Sequence, residues 1–318
     1  MKAGVHVRYG KLEVQDVEQP RPAAAEVLVR VRAVSLNAAD WYGFAGHPYV
    51  ARPLMGFWRP RSGKLGADFA GVVESVGQDV IDFTAGDEVF GWAPGALAEY
   101  VLAGEAIERM PSGASFEEAA ALPVAGLAAL QGLRDHGRVQ PGQKVLINGA
   151  GGGVGTFAVQ IAKDLGAEVH AVCSTRNVAQ SLELGAVRVF DYGEVDFTRS
   201  GVRYDVLFDN AGSRSWAAMR RVLAPGGTTV LVGGPRRRRM LGPLGHIGRM
   251  IAASKLTRRR AVFFIAKPNR ADLATLRDLV EAGTVRPVIE QRFTLAQAGD
   301  AMRRLSDGHA RAKVVVTV

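Results

Sequence analysis

The stretch from Lys144 to Gly155, Lys-Val-Leu-Ile-Asn-Gly-Ala-Gly-Gly-Gly-Val-Gly, places the tightest constraint on what this chain can fold into. A short apolar run over Val145 to Asn148 reads as a buried strand. Glycines follow, and then Val154, Phe157, Ala158, Ile161 and Ala162 recur at helical spacing. Strand, tight turn and helix in this order need small residues at the turn, because the backbone bends sharply and the helix must pack close to the strand. The free N–H groups and positive dipole end of such a helix favour an anion. A second apolar run, Glu168 to Cys173, begins just after Gly166 and completes a βαβ unit.

Ala150, Gly152 and Gly155 occupy the three places of a G-x-G-x-x-G pattern, with Gly151, Gly153 and Val154 between them and Ala in place of the first Gly. In the context of a βαβ unit this is the turn that cradles a dinucleotide pyrophosphate. About twenty residues further on, an acidic side chain ordinarily binds the ribose 2′-hydroxyl of NAD. Here stand Ser174, Thr175, Arg176 and Asn177. Arg176 and two hydroxyls suit a 2′-phosphate through charge-assisted hydrogen bonds, so the expected cofactor is NADP(H). The alternative is an Arg176 that is merely solvated at a helix start.

At 318 residues the chain has room for two domains, each with a core of its own. Its single cysteine, Cys173, excludes an internal disulfide and a zinc site built from cysteines, and no H-E-x-x-H occurs, so no metal is expected. The N-terminus carries no apolar signal segment and no run reaches the length of a membrane span, which points to a cytoplasmic location. The net charge of +9 belongs to one segment: Arg236 to Arg260 contains nine basic residues and no acidic one, and the remainder is balanced. That segment reads as a solvated helical excursion with snorkelling arginines, a membrane-surface contact, or a lid over an anionic ligand. No interleaved aromatics accompany the arginines, so nucleic acid is not an expected partner.

Residues 1 to about 115 are rich in β-branched residues, Gly and Pro, with short strands at Val27 to Val34, Phe69 to Val76, Asp87 to Phe90 and Ala98 to Val101, the pattern of an irregular β-barrel-like domain. Asn37 and Asp40 follow one of these strands and either line a pocket or cap and turn the backbone. Helices are expected over Phe116 to Leu122 and Gly126 to Gly137. Strands and helices then alternate: a helix near Val178 to Leu184, strands at Val187 to Phe190 and Tyr204 to Asn210, a helix at Trp216 to Leu223, and strands at Thr229 to Val232 and Ala261 to Ala266. This alternation predicts an α/β fold with a doubly wound parallel sheet. Gly212, Val232 and Gly233 lie at the carboxyl ends of strands, where ligands bind in such sheets. A helix at Ala271 to Glu281 precedes a closing strand, helix and strand, expected to return to the first domain.

These residues resemble the medium-chain dehydrogenase/reductase superfamily, in particular its zinc-independent quinone-oxidoreductase-like branch. The likeness spans nearly the whole chain. Gly66-Ala67-Asp68-Phe69-Ala70-Gly71-Val72-Val73 is similar to that branch's G-x-D-x-x-G-x-V, Gly86-Asp87-Glu88-Val89 to its G-D-x-V, and Leu223-Ala224-Pro225-Gly226-Gly227 to the segment before its fifth strand. The resemblance implies a GroES-like substrate domain, 1–115 with 288–318, and a Rossmann NADP-binding domain, 116–287, carrying the basic insertion 236–260. It also implies a homodimer paired through the Rossmann sheet edge. Zinc-dependent relatives carry Cys and His ligands in the first domain. Near those places this chain has Asn37 and Asp68. In zinc-free relatives an Asn and an Asp three residues later follow the strand, as Asn37 and Asp40 do here, and Tyr192 resembles a residue beside the adenosine phosphate.

Without a metal, little would acidify an alcohol or polarise a ketone, and no Tyr-x-x-x-Lys pair occurs. A quinone or an α,β-unsaturated carbonyl is already electrophilic, so the expected activity is NADPH-dependent reduction of such a substrate, with solvent or Tyr42 as proton source. Trp41, Tyr42, Phe44, Tyr49, Phe57 and Trp58 either shape an apolar pocket or belong to the core. Two further readings stand beside this one: an NADP-dependent alcohol or aldehyde reductase of the same fold, and an NADP-binding protein that attaches to a membrane or partner without turnover.

Overall fold

Six strands between residues 144 and 263 assemble into one parallel sheet, whose inner strands Glu168–Cys173, Lys144–Asn148 and Tyr204–Asp209 are apolar runs buried on both faces. The computed structural model describes every residue except 235–239, 241–242 and 307–310. Across the sheet the strands run Arg188–Asp191, Glu168–Cys173, Lys144–Asn148, Tyr204–Asp209, Leu223–Leu231 and Arg260–Phe263, every neighbouring pair parallel. In chain order this is 3-2-1-4-5-6, the doubly wound Rossmann arrangement. The strand order reverses between Lys144–Asn148 and Tyr204–Asp209, which opens a crevice at their carboxyl ends.

The chain divides into two compact units, 1–127 with 267–318 and 128–266. The boundaries anticipated from sequence differ from these at both ends of the middle segment. The helix Phe116–Ala120 packs on the strands Val27–Leu36 and Asp68–Val76, and the helix Arg270–Glu281 on the strand Ile107–Arg109. Arg270 and Arg277 fix the second helix there by pairing with Glu108 at 3.1 and 2.9 Å.

The first unit is built around Val27–Leu36, whose alternating burial leaves Arg30 and Arg32 exposed and its valines inside. It pairs antiparallel with Asp68–Val76, Tyr100–Ala103 and Lys313–Thr317, so the C-terminal strand closes the sheet of the N-terminal region. Gly71 must be glycine: a Cβ there would stand 2.2 Å from the Arg30 carbonyl, where the two strands cross a register shift. Phe69, Leu97, Ile107 and Met302 fill the core between this sheet and the helix Ala298–Ser306. Truncating a fully buried side chain such as Phe69 costs about 3–5 kcal/mol. This mixed α/β chain thus combines a Rossmann sheet with a GroES-like β-barrel unit.

Two expected helices change, and one element is new. The helix expected over Trp216 to Leu223 is a single turn, Trp216–Met219, capped by Ser215, because Leu223 already pairs with Tyr204 and opens a long strand. Pro123 starts a helix, Pro123–Gln131, at a position where its missing N–H costs nothing. That helix widens into π-helical turns over Gly132–Gly137, where a Cβ on Gly132 would lie 2.6 Å from the Phe208 ring. An N-terminal hairpin, Lys2–Arg8 with Lys11–Asp16, is an element that the hydrophobic pattern does not reveal.

Of the basic segment, Arg236 to Arg239 lie outside the described residues. The helix Leu244–Ser254 turns Ile247 and Met250 into the core of the second unit and leaves Arg249 exposed. No described helix is long and apolar enough to cross a membrane.

Candidate active site

Polar residues gather at two places, one in each unit. In the first, the strand Val27–Leu36 ends at Asn37, and the helix Ala38–Ala45 begins. Asp40, in the first turn of that helix, accepts from the Asn37 backbone N–H at 2.7 Å, so it caps the helix as its sequence position suggests. The Asn37 side chain does something else. Its Nδ2 donates to Asp68 Oδ2 at 2.8 Å, and its Oδ1 accepts from Lys313 Nζ at 2.6 Å. Lys313 Nζ also lies 3.5 Å from Asp68 Oδ2, and Asp68 accepts from the Val124 backbone N–H at 3.2 Å.

The register of the sheet explains the meeting. Asp68 opens its strand opposite Ser35, and Lys313 opens its strand next to Val314, which faces Leu36. Three strand ends therefore converge, with Lys313 only 2% and Asp68 0% exposed. Burial pushes the Asp68 carboxyl up and the Lys313 ammonium down, each opposed by the charge of the other. Asp40 is pushed up to about 7, first by burial and then by the neighbouring Asp68 charge, against the hydrogen bond from Asn37. Two carboxyls that burial raises thus share one ammonium that burial lowers, and their titrations are coupled.

Tyr42 lies on the same helix, two residues beyond Asp40, with its ring 5.0 Å from that of Trp41. The aromatic stretch resolves three ways. Trp41 and Phe44 pack against the first unit's core, Tyr49 covers the Arg52 guanidinium at 4.6 Å, and Phe57 and Trp58 point to solvent.

In the second unit the glycine turn follows Lys144–Asn148. The sharp bend is made by Gly149 at φ +91°, one residue ahead of the motif's first place, and the buried Ala150 follows it. Gly149 and Ala150 both donate to the Val172 carbonyl at 3.0 Å, which ties the turn to the next strand. Gly152 caps the helix Gly153–Asp164 in extended conformation, with Val154 in the helix's first turn. A Cβ on Gly155 would stand 2.1 Å from the Gly149 carbonyl, and one on Gly151 would stand 2.2 Å from Asn177 Nδ2. The turn is thus packed from behind, and the N–H groups in the first turn of the helix that it opens favour an anion.

Ser174, Thr175 and Arg176 follow the adjacent strand, with Thr175 and Arg176 exposed. One carboxylate near them escapes the sequence reading. Asp191 ends the neighbouring strand opposite Cys173, and hydrogen bonds from Thr175 and from the Gly193 N–H hold it below the usual carboxylate range. Tyr192, half exposed, donates its backbone N–H to the Cys173 carbonyl at 3.0 Å. At the crevice, Asn148 Nδ2 donates to the fully buried Asp209 at 2.7 Å, and Asp209 also accepts from the N–H of Gly212, at φ +60°, at 2.9 Å. Val232 and Gly233 continue from the next strand, and their N–H groups reach the Asp209 carbonyl at 2.9 and 3.3 Å.

Sequence reasoning missed Lys313, Asp191 and Asp209. A lysine opening the otherwise apolar Lys313–Thr317 was the available signal for the first. The other two depend on which strands lie side by side.

These donor sets fit two cofactors differently. The small-residue cradle of Gly149 to Gly155 fits a dinucleotide pyrophosphate, since side chains there would collide with the chain's own backbone. The first-unit cluster does not fit a zinc ion: Asn37 and Asp68 already share an ammonium, and a dication would have to displace Lys313 from a site with no thiolate or imidazole.

Two family models match the chain, the alcohol dehydrogenase GroES-like domain over residues 23–130 and the zinc-binding dehydrogenase over residues 184–316. A chloroplastic quinone oxidoreductase of Triphysaria versicolor is 33% identical over 95% of this chain and 92% of its own. A quinone oxidoreductase of Pseudomonas aeruginosa is 34% identical over 93% and 92%. Among solved structures, the quinone oxidoreductase of Coxiella burnetii superposes with a TM-score of 0.89 at 34% identity, covering 100% of this chain and 99% of the other. The chain belongs to the medium-chain dehydrogenase/reductase superfamily, in its quinone-oxidoreductase-like branch.

Proposed function

We propose that this protein is an NADPH-dependent, zinc-independent reductase of quinones or α,β-unsaturated carbonyls. The observation that carries the reading is the Lys313 ammonium, buried between Asn37 and Asp68, the two residues that the family resemblance places near the metal-ligand positions of zinc-dependent relatives. A chain that spends this position on an internal cation relies on substrates that accept hydride without a Lewis acid. The relatives named as quinone oxidoreductases support the same substrate class.

Bound NADPH would supply the hydride, which reduces a quinone to its hydroquinone, or an enone to the saturated ketone, with one proton from elsewhere. The chain's own residues have three tasks. The turn Ala150, Gly151, Gly152, Gly153, Val154 and Gly155 cradles the pyrophosphate, with the N–H groups in the first turn of the helix Gly153–Asp164 as donors. Ser174, Thr175 and Arg176 meet the 2′-phosphate, with Tyr192 beside them. Arg176 is the determinant there, because Thr175 already engages Asp191 and that carboxylate would otherwise favour a free ribose hydroxyl. Gly212, Val232 and Gly233 line the crevice at the strand ends.

In the first unit, Asn37 orders the cluster instead of meeting substrate, since both ends of its amide are engaged. The Asp40 carboxyl, pushed up to about 7, and Tyr42 are the proton sources this reading favours.

The test is consumption of NADPH against one quinone, one enone and one saturated aldehyde, by protein dialysed against a chelator. Turnover of the quinone or enone alone is expected. Turnover of the aldehyde with restoration by zinc, or tight NADPH binding with no turnover on any of the three, refutes the reading.

A further inference from the structure

The longest acid-free stretch of the first unit lies between Asp40 and Asp68, and it carries four basic residues, Arg52, Arg59, Arg61 and Lys64. Within it, side chains that belong in a core are turned outward. Trp58 is 82% exposed, Leu54 79%, Phe57 57% and Val50 52%. Exposed single apolar residues are ordinary on protein surfaces, but four within nine residues make a patch.

This patch is held in a built loop. The Arg61 N–H donates to the Met55 carbonyl at 2.8 Å and closes the turn, and Gly56 at φ +109° allows the closure, since a Cβ there would meet the Arg59 carbonyl at 2.0 Å. Tyr9 anchors the base: its hydroxyl donates to the Gly56 carbonyl at 2.5 Å, and its ring takes the Arg52 guanidinium at 4.6 Å, with Tyr49 at the same distance. Phe57 and Trp58 pack edge to face at 4.9 Å and form the tip, with exposed Arg59 and Arg61 beside them.

We infer that this loop docks the protein onto an anionic lipid surface. Aromatic side chains settle at the boundary between headgroups and acyl chains, and arginines flanking them pair with lipid phosphates while their stems stay in the apolar zone. A soluble protein partner with an acidic face would match the charges but not the exposed Trp58, Phe57 and Leu54 beside them. The contact lies in the first unit and uses none of the residues of the Arg236 to Arg260 segment. It does not depend on which substrate the enzyme reduces.

Vesicle co-sedimentation of the full chain tests it, with phosphatidylglycerol mixed into phosphatidylcholine against phosphatidylcholine alone. Binding to the anionic vesicles is expected, weakening as salt is raised. Trp58 serves as an internal reporter, because Trp216 is buried and Trp41 and Trp92 are partly so. Its emission should shift to the blue on binding. Phe57→Ser/Trp58→Ser should weaken binding tenfold or more, and Arg59→Glu/Arg61→Glu should abolish the preference for anionic vesicles. Both pairs are exposed, so an unchanged melting temperature separates lost docking from lost folding. No binding by the unaltered protein overturns the inference, as does binding that survives these variants and disappears only when Arg236 to Arg239 are all changed to Ser. Loss of self-association in the Phe57→Ser/Trp58→Ser protein by sedimentation velocity would assign the patch to a second copy instead, and also overturns it.

Discussion

Replacing Lys313 with Met isolates the energetics of the first-unit cluster. Lys313 is 2% exposed, hydrogen-bonded to Asn37 at 2.6 Å and 3.5 Å from an Asp68 carboxylate that water does not reach. Met preserves the length and apolar stem but removes the charge, leaving a buried carboxylate with only the Asn37 amide and the Val124 N–H as partners. Breaking one side of a buried pair in this way costs about 3–5 kcal/mol. The loss is capped by protonation. Asp68 is already pushed up by burial, and without the ammonium it rises further, so the variant gains stability as pH falls. The sign follows from linkage: a folded-state pKa above the unfolded one gives stability that is present at low pH and lost as pH rises through the folded value.

Thermal unfolding followed by circular dichroism should therefore show Lys313→Met destabilised most near about pH 8, and less by roughly 1–3 kcal/mol near about pH 6. At about 2–4 °C per kcal/mol, the fall in Tm at the higher pH is roughly 10 °C. Adding Asp68→Asn should recover more than half of it, because the amide retains an acceptor for Val124 and carries no charge. A Lys313→Met protein within about 0.5 kcal/mol of the original, the margin of an ordinary surface change, would refute the buried-pair reasoning. So would a double variant no more stable than the single one.

Other outcomes follow from the same geometry. Asp40, with a folded pKa of about 7, contributes stability that is full below its unfolded value and fades as pH rises toward 7, so Asp40→Asn should flatten that slope by about 1–2 kcal/mol overall in a denaturant titration at several pH values. A flat slope in the unaltered protein would count against it. Gly155→Ala should abolish NADPH binding by isothermal calorimetry and lower Tm, since its Cβ would meet the Gly149 carbonyl at 2.1 Å. Normal affinity there would mean that the turn is not the cradle. Arg176→Asp should cut the ratio of NADPH to NADH efficiency at least tenfold, with Asp191→Asn raising it slightly, and an unmoved ratio for Arg176→Asp would place the discrimination elsewhere.

The second unit was legible because its fold is written in local pattern. The run Lys144 to Gly155 specifies strand, turn and helix by itself, and Glu168–Cys173 emerges with the bounds the apolar run suggests. Gly66, Asp68 and Gly71 formed a motif, but their reasons are tertiary: a left-handed turn at Gly66, a buried ion cluster at Asp68 and a strand carbonyl against Gly71. Lys313 lies 245 residues from Asp68, so no spacing rule connects them. Asp191 likewise reaches Thr175 only because two parallel strands end in register. The hairpin Lys2–Arg8 with Lys11–Asp16 is mostly half-buried or exposed and lacks the clean alternation that marks a strand facing a core. Phe57 and Trp58 invert the usual inference altogether, being apolar residues that the fold turns to solvent.

Direct hydride delivery without a metal is tested by the fate of a label. Protein dialysed against a chelator would reduce an enone with NADPH deuterated at the transferable C4 position, and mass spectrometry would locate the deuterium while metal analysis follows zinc. One deuterium on the β-carbon of the product is expected, with turnover that does not track the zinc content. Product without deuterium, or activity that vanishes with the chelator and returns with zinc, would contradict it.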